Sequence, residues 1–142
     1  MGSETARPMA PEVAAVFAGC PAAARARMMA LRRQIFDTAA ATPGVGPLTE
    51  TLKWGEPAYL TAATGSGSTV RIGWKPTAPD RVGVYFNCRT RLVDRFRTMF
   101  AGELTFEGNR AILLDISQPL PDQPLAACLA LALTYHRNKG RP

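Results

Sequence analysis

The sequence predicts an α+β fold, an antiparallel β-sheet with N- and C-terminal helices packed on one face, and three observations carry that prediction. Residues 69–75 and 82–87 alternate apolar and polar side chains with period two, as half-buried strands do. Ala24, Met28, Leu31, Ile35 and Ala39 recur at helical spacing and make one apolar stripe. Residues 125–135 are apolar nearly all round, so the closing helix is expected in the middle of the fold.

The elements follow in order. Residues 1–10 are small, polar and proline-bearing and read as a flexible tail; residues 11–142 read as a single domain. Pro11 opens a short helix to about Phe17, stopped by Gly19, and Pro21 opens the striped helix, which Pro43 and Gly44 end. Arg25 and Arg32 fall on the arc of the stripe. A buried guanidinium is costly unless paired, so both are expected to reach past its edge to water, with Glu50 and Glu56 as the carboxylates otherwise within reach.

Residues 49–60, Thr-Glu-Thr-Leu-Lys-Trp-Gly-Glu-Pro-Ala-Tyr-Leu, read as a bent strand pair with its kink at Gly55-Glu56-Pro57, because Gly55 is conformationally free and Pro57 lacks a ladder donor. Lys53, Trp54, Glu56 and Tyr59 crowd a base, an acid and two aromatics round that bend. The cluster reads either as a binding corner or as a sheet corner with solvated charges. Residues 64–68 form a flexible Ser/Gly loop. In the two strands that follow, Val70, Ile72, Trp74, Val82, Val84 and Phe86 point one way, and Arg71, Gly73, Lys75, Tyr85 and Asn87 the other. Thr90 is placed to cap a short helix, ended by Gly102, whose inward face is Leu92, Val93, Phe96, Met99 and Phe100. Two last strands flank a hairpin at Gly108-Asn109, and Pro119, Pro121 and Pro124 force an extended approach to the final helix, which Asp122 can cap.

Composition narrows the function classes. A chain of 142 residues, 46% apolar and 20% charged, can bury a core without disulfides or metal. The net charge of +6 favours anionic partners, yet the arginines are spread over several elements without a docking motif, so specific nucleic-acid binding is not expected. Cys20, Cys88 and Cys128 form no CxxC pair, and with His136 as the one histidine there is no metal-ligand spacing, so neither metal nor cofactor is expected. The first residues contain no unbroken apolar core, and the longest apolar run, 125–133, is too short to span a bilayer. A cytoplasmic protein with no membrane partner is therefore expected. Residues 42–47, Thr-Pro-Gly-Val-Gly-Pro, lack Gly-Lys-Ser/Thr and precede a strand, which excludes a phosphate loop.

Four stretches together make the chain similar to the YdhG-like family of small domains of unknown function: Lys53-Trp54-Gly55-Glu56-Pro57-Ala58-Tyr59, Tyr85-Phe86-Asn87-Cys88, Phe106-Glu107-Gly108-Asn109-Arg110-Ala111 and Ala132-Leu133-Thr134-Tyr135-His136. The resemblance runs from about Val13 to Lys139. It implies a frataxin-like sandwich and, as one alternative function, an intracellular iron chaperone. Iron needs clustered hard oxygen ligands, whereas the first two helices offer only Glu12 and Asp37.

The reading that follows is a non-enzymatic binding module for an anionic small molecule or an acidic protein partner. Its candidate ligand-binding residues are Lys53, Trp54, Glu56, Tyr59, Arg71, Lys75, Tyr85 and Asn87, on the sheet face turned away from the helices. The plainer alternative is an ordinary solvated sheet face. An enzyme would have to use Cys88 with His136, or Lys53 with Glu56, and neither pairing can be read from spacing.

Overall fold

The computed structural model describes residues 7–138. α1 (Pro11–Ala18) starts at a proline, whose fixed φ and absent N–H suit a first turn, and Pro21, expected in the first turn of α2 (Ala22–Ala41), stands just before it as the N-cap. Arg25 holds the junction between them by donating to the carbonyl oxygens of Phe17, Ala18 and Cys20, the open end of α1. It does reach sideways from the stripe, but to backbone acceptors.

Six strands form one antiparallel sheet in the order β1-β2-β3-β4-β6-β5: β1 (Thr49–Lys53), β2 (Glu56–Leu60), β3 (Val70–Trp74), β4 (Arg81–Phe86), β5 (Thr105–Glu107) and β6 (Ala111–Asp115). The register sets the faces. Val70 lies opposite Phe86, Ile72 opposite Val84 and Trp74 opposite Val82, and Ile112 and Leu114 continue this apolar face on β6. α1 packs on β1 and β2, α2 on β3 and β4, and α4 (Asp122–Leu133) on β3, all around one continuous core. The expected α+β class, an antiparallel sheet with its helices on one face, is the class observed. α3 (Leu92–Met99) adds Leu92, Val93 and Phe96, the last with its ring edge-on to Phe86 at 5.1 Å, and Thr90 accepts a hydrogen bond from the N–H of Leu92. Met99, expected on the same inward face, is instead exposed in the last turn of the helix, and Phe100 is half-buried against the core.

Several features differ from the sequence reading. First, the expected strand pair at residues 49–60 is present, but it turns at Trp54-Gly55 as a hairpin instead of kinking at Gly55-Glu56-Pro57. Both turn residues have positive φ, 57° and 76°, and Lys53 pairs with Glu56 across the turn. Pro57 faces Leu52, one place from the closing pair, where an antiparallel ladder asks for no hydrogen bond between those two strands. Second, the loop at 64–68 is tied down. Ser66 and Ser68 are buried and bond to the carbonyls of Leu133 and Ala132, and a Cβ on Gly67 would strike the Leu133 backbone. Third, α4 lies beside α2 instead of in the middle, with Leu125, Cys128, Leu129, Ala132 and Leu133 buried and Ala126, Ala127 and Leu131 half-buried; Pro124 sits inside its first turn, where its missing N–H costs nothing. Fourth, residues 7–10 of the expected loose tail are seated on α2: the Arg7 guanidinium lies 4.1 Å from the Phe36 ring centroid, and Pro8 accepts a hydrogen bond from Arg32. Residues 1–6 of that tail and 139–142 of the expected domain lie outside the described residues.

Arg32 does not reach water. It is 4% exposed and forks onto Glu50, Nε to Oε2 at 2.6 Å and Nη2 to Oε1 at 2.9 Å, while the Tyr59 hydroxyl donates to Glu50 Oε2 at 2.8 Å. The charges are taken out of water only because each is matched by the other. Replacing either partner alone, by Arg32→Met or Glu50→Leu, is expected to cost about 3–5 kcal/mol in chemical denaturation. The double replacement is expected to cost less than either single one, since no charge is then stranded; additive losses would contradict this.

Candidate functional site

The face of the sheet opposite the core is built by the same register. Lys53 pairs with Glu56, Gly73 with Gly83, Gly83 with Leu113 and Leu113 with Thr105, so these side chains form one row across the strands. Two adjacent glycines leave a gap there. The Tyr85 ring folds back into it, with Cζ and Oη each 2.6 Å from where a Cβ on Gly83 would stand, and the Glu56 carboxylate lies over Gly73 with Oε2 at 2.8 Å from the same position. Tyr85 is therefore only 7% exposed although no described helix covers this face.

Cations gather round that ring. The Arg71 guanidinium stands 5.7 Å and the Lys75 ammonium 5.2 Å from its centroid, within the range where a ring attracts a cation. Arg71 is already held by Glu56 at 2.6 Å. Beside them lies a hollow of about 170 Å³ whose lining includes Gly73, Gly83, Tyr85, Lys75, Arg81 and Arg110. Thr77 and Glu107 complete its polar wall. Among the described residues, Lys75, Arg81 and Arg110 have no carboxylate within ion-pair distance, and the Tyr85 hydroxyl has no hydrogen-bond partner. Asp115, the register partner of Arg81, bonds instead to the N–H and hydroxyl of Ser117, which hold its carboxyl below the usual range.

Of the eight residues predicted from sequence, Arg71, Lys75 and Tyr85 come together here, with Glu56 as the counter-charge of Arg71. Lys53 sits exposed at the hairpin end of the same face, and Trp54, 88% exposed, is in the turn. Tyr59 is on the other face, fully buried: it pairs with Val70, so it belongs to the core layer and not to a binding corner. Asn87 lies past the end of β4, where its side chain accepts from the Arg89 N–H and caps a short 3-10 turn. Sequence reasoning missed Arg81, Arg110 and Glu107. Arg81 was within reach of it, since positions 81, 83 and 85 share a face; Arg110 and Glu107 depend on how the β5–β6 turn lies against β4.

The other candidate chemistries are dispersed. Burial pushes the Cys128 thiol up to about 12 and raises that of Cys20. Cys88 is exposed and makes no hydrogen bond to His136, whose ring lies edge-on to Tyr135 at 5.1 Å. Among the described residues no three His, Cys, Asp or Glu side chains group as metal ligands, and no helix is long and apolar enough to cross a membrane. No family model, curated protein or solved structure matches the chain, so the YdhG-like and frataxin-like likenesses rest on the motif residues alone.

Burial, then the charge of Glu50, raises the pKa of Tyr59 far above its ordinary value. A phenol kept neutral by the fold adds stability that is complete below about pH 10 and is lost as pH rises beyond it, by at most about 1.4 kcal/mol per pH unit. Denaturation midpoints measured across that range should fall steeply for the native chain and less steeply for Tyr59→Phe. Equal slopes would mean that the phenol is not held neutral.

Proposed function

We propose that the chain is a YdhG-like domain that binds a small anion on the bare face of its sheet without transforming it. The observation that carries this reading is the coincidence, around one hollow, of three cations without carboxylate partners and a nearly buried tyrosine with a spare hydroxyl. Lys75, Arg81 and Arg110 are exposed, so water screens them from one another, but together with Glu107 they give the lining of the hollow a net positive charge that favours an anion there. Charge-assisted bonds from an ammonium and two guanidinium forks are the strong class of hydrogen bond, and the ring gives the ligand a flat apolar wall. The hollow is smaller than the roughly 300–1,000 Å³ that drug-sized molecules occupy, so it suits a compact head group better than a protein side.

Calorimetric titration with a panel of small anions tests the reading. Lys75→Ala and Arg81→Ala should each weaken the bound anion by roughly tenfold or more, the worth of a charge-assisted hydrogen bond. Because neither side chain holds another element, melting temperatures should stay within about 2 °C of the native value. Undiminished affinity in both variants would remove the hollow as the site, and a collapse in melting temperature would assign the two cations to the architecture.

A further inference from the structure

We infer that the anion taken at this hollow is a single phosphomonoester dianion, an assignment that rests on the anion-binding reading above and narrows it. Charge count is the first ground. Lys75, Arg81 and Arg110 bring three positive charges to the lining and Glu107 one negative, which leaves two to be balanced. A monocarboxylate answers half of that, and a polyphosphate exceeds it and meets Glu107 besides.

Shape is the second ground. The donors come from different strands and turns: Lys75 and Thr77 from the β3–β4 connection, Arg81 from β4, Arg110 from the β5–β6 turn, and the Tyr85 hydroxyl from over the glycine pair. Donors arriving from such different sides match three terminal oxygens arranged about a tetrahedral phosphorus better than two oxygens in a plane. The third ground is the Tyr85 hydroxyl, which has no hydrogen-bond partner among the described residues and belongs to a ring that lines the hollow, so it can donate to one of those equivalent oxygens without adding charge. The remaining charged pair on this face, Arg71 with Glu56, is closed on itself and adds no net charge.

The test is titration of the full chain with glycerol 2-phosphate, sulfate, methyl sulfate and acetate, each at about pH 5 and about pH 8. A phosphomonoester loses its second proton near pH 6, whereas sulfate is doubly charged at both values and reports any change in the protein itself. Phosphomonoester affinity relative to sulfate should rise roughly tenfold between the two conditions, methyl sulfate and acetate should bind weakly at both, and Arg81→Ala should weaken the phosphomonoester and make the rise smaller. Glu107→Gln should tighten pyrophosphate more than it tightens the monoester. If sulfate and acetate bind as well as the phosphomonoester and its relative affinity does not change with pH, the phosphate assignment is overturned while anion binding stands. If no anion binds in any condition, both fall.

Discussion

The pairing of Gly73 with Gly83 across β3 and β4 is the constraint on which both faces of this molecule depend. With that register, Val70, Ile72, Val82 and Val84 all point at the helices and the two glycines meet on the far side. A slip of one residue would turn an entire strand's apolar set outward, and the loss of several buried aliphatic side chains, each worth about 1.5–3 kcal/mol, makes such a slip untenable. The core therefore decides where the glycine gap falls, and the gap decides where Tyr85 can lie. A solvent-facing hollow is in this sense set from the buried side.

The hairpin β1–β2 is joined to that scheme by a different kind of bond. Arg32 reaches from α2 to Glu50 on β1, and Tyr59 on β2 donates to the same carboxylate, so one helix and two strands share a buried polar knot. Such a knot adds less net stability than apolar packing would, but it accepts no alternative partner: moving either strand by one residue leaves a buried charge alone. It holds the hairpin in place and, through β2, positions Glu56 over Gly73 and against Arg71. That ion pair closes one side of the glycine gap and leaves the Lys75–Arg81 side open.

What was legible in the sequence was what period dictates. The alternation in β3 and β4 and the stripe of α2 each repeat often enough to fix a face, and Arg71, Lys75 and Tyr85 were placed on theirs by parity alone; the shorter α3 buries Leu92, Val93 and Phe96 as expected but leaves Met99 exposed at its end. β2 carries no alternation of its own, since Glu56, Pro57, Ala58, Tyr59 and Leu60 mix sizes and polarity; the side that Tyr59 takes is settled by its pairing with Val70, a contact eleven residues away in the chain. The turn at Trp54-Gly55 was hidden because a bulky residue seldom adopts positive φ, so Trp54 does not advertise a hairpin as Asn would. Arg32 and Glu50 were seen as potential partners, but whether a long side chain snorkels or pairs depends on how deeply its helix face is covered, which no local pattern records. Arg110 and Glu107 enter the hollow through the fold of a turn and were beyond reach for the same reason.

Gly83→Ala puts the dependence of the hollow on the missing Cβ to its most direct test. The backbone there has no positive φ, so alanine is compatible with the strand, and the three atoms nearest the added Cβ all belong to the far end of the Tyr85 ring, which would have to move aside. A melting temperature equal to or slightly above the native one, with Tyr85 side-chain resonances shifted and anion affinity lost, is the expected result. Native affinity in a folded Gly83→Ala protein would contradict it, because the hollow would then owe nothing to the glycine pair that the register sets there.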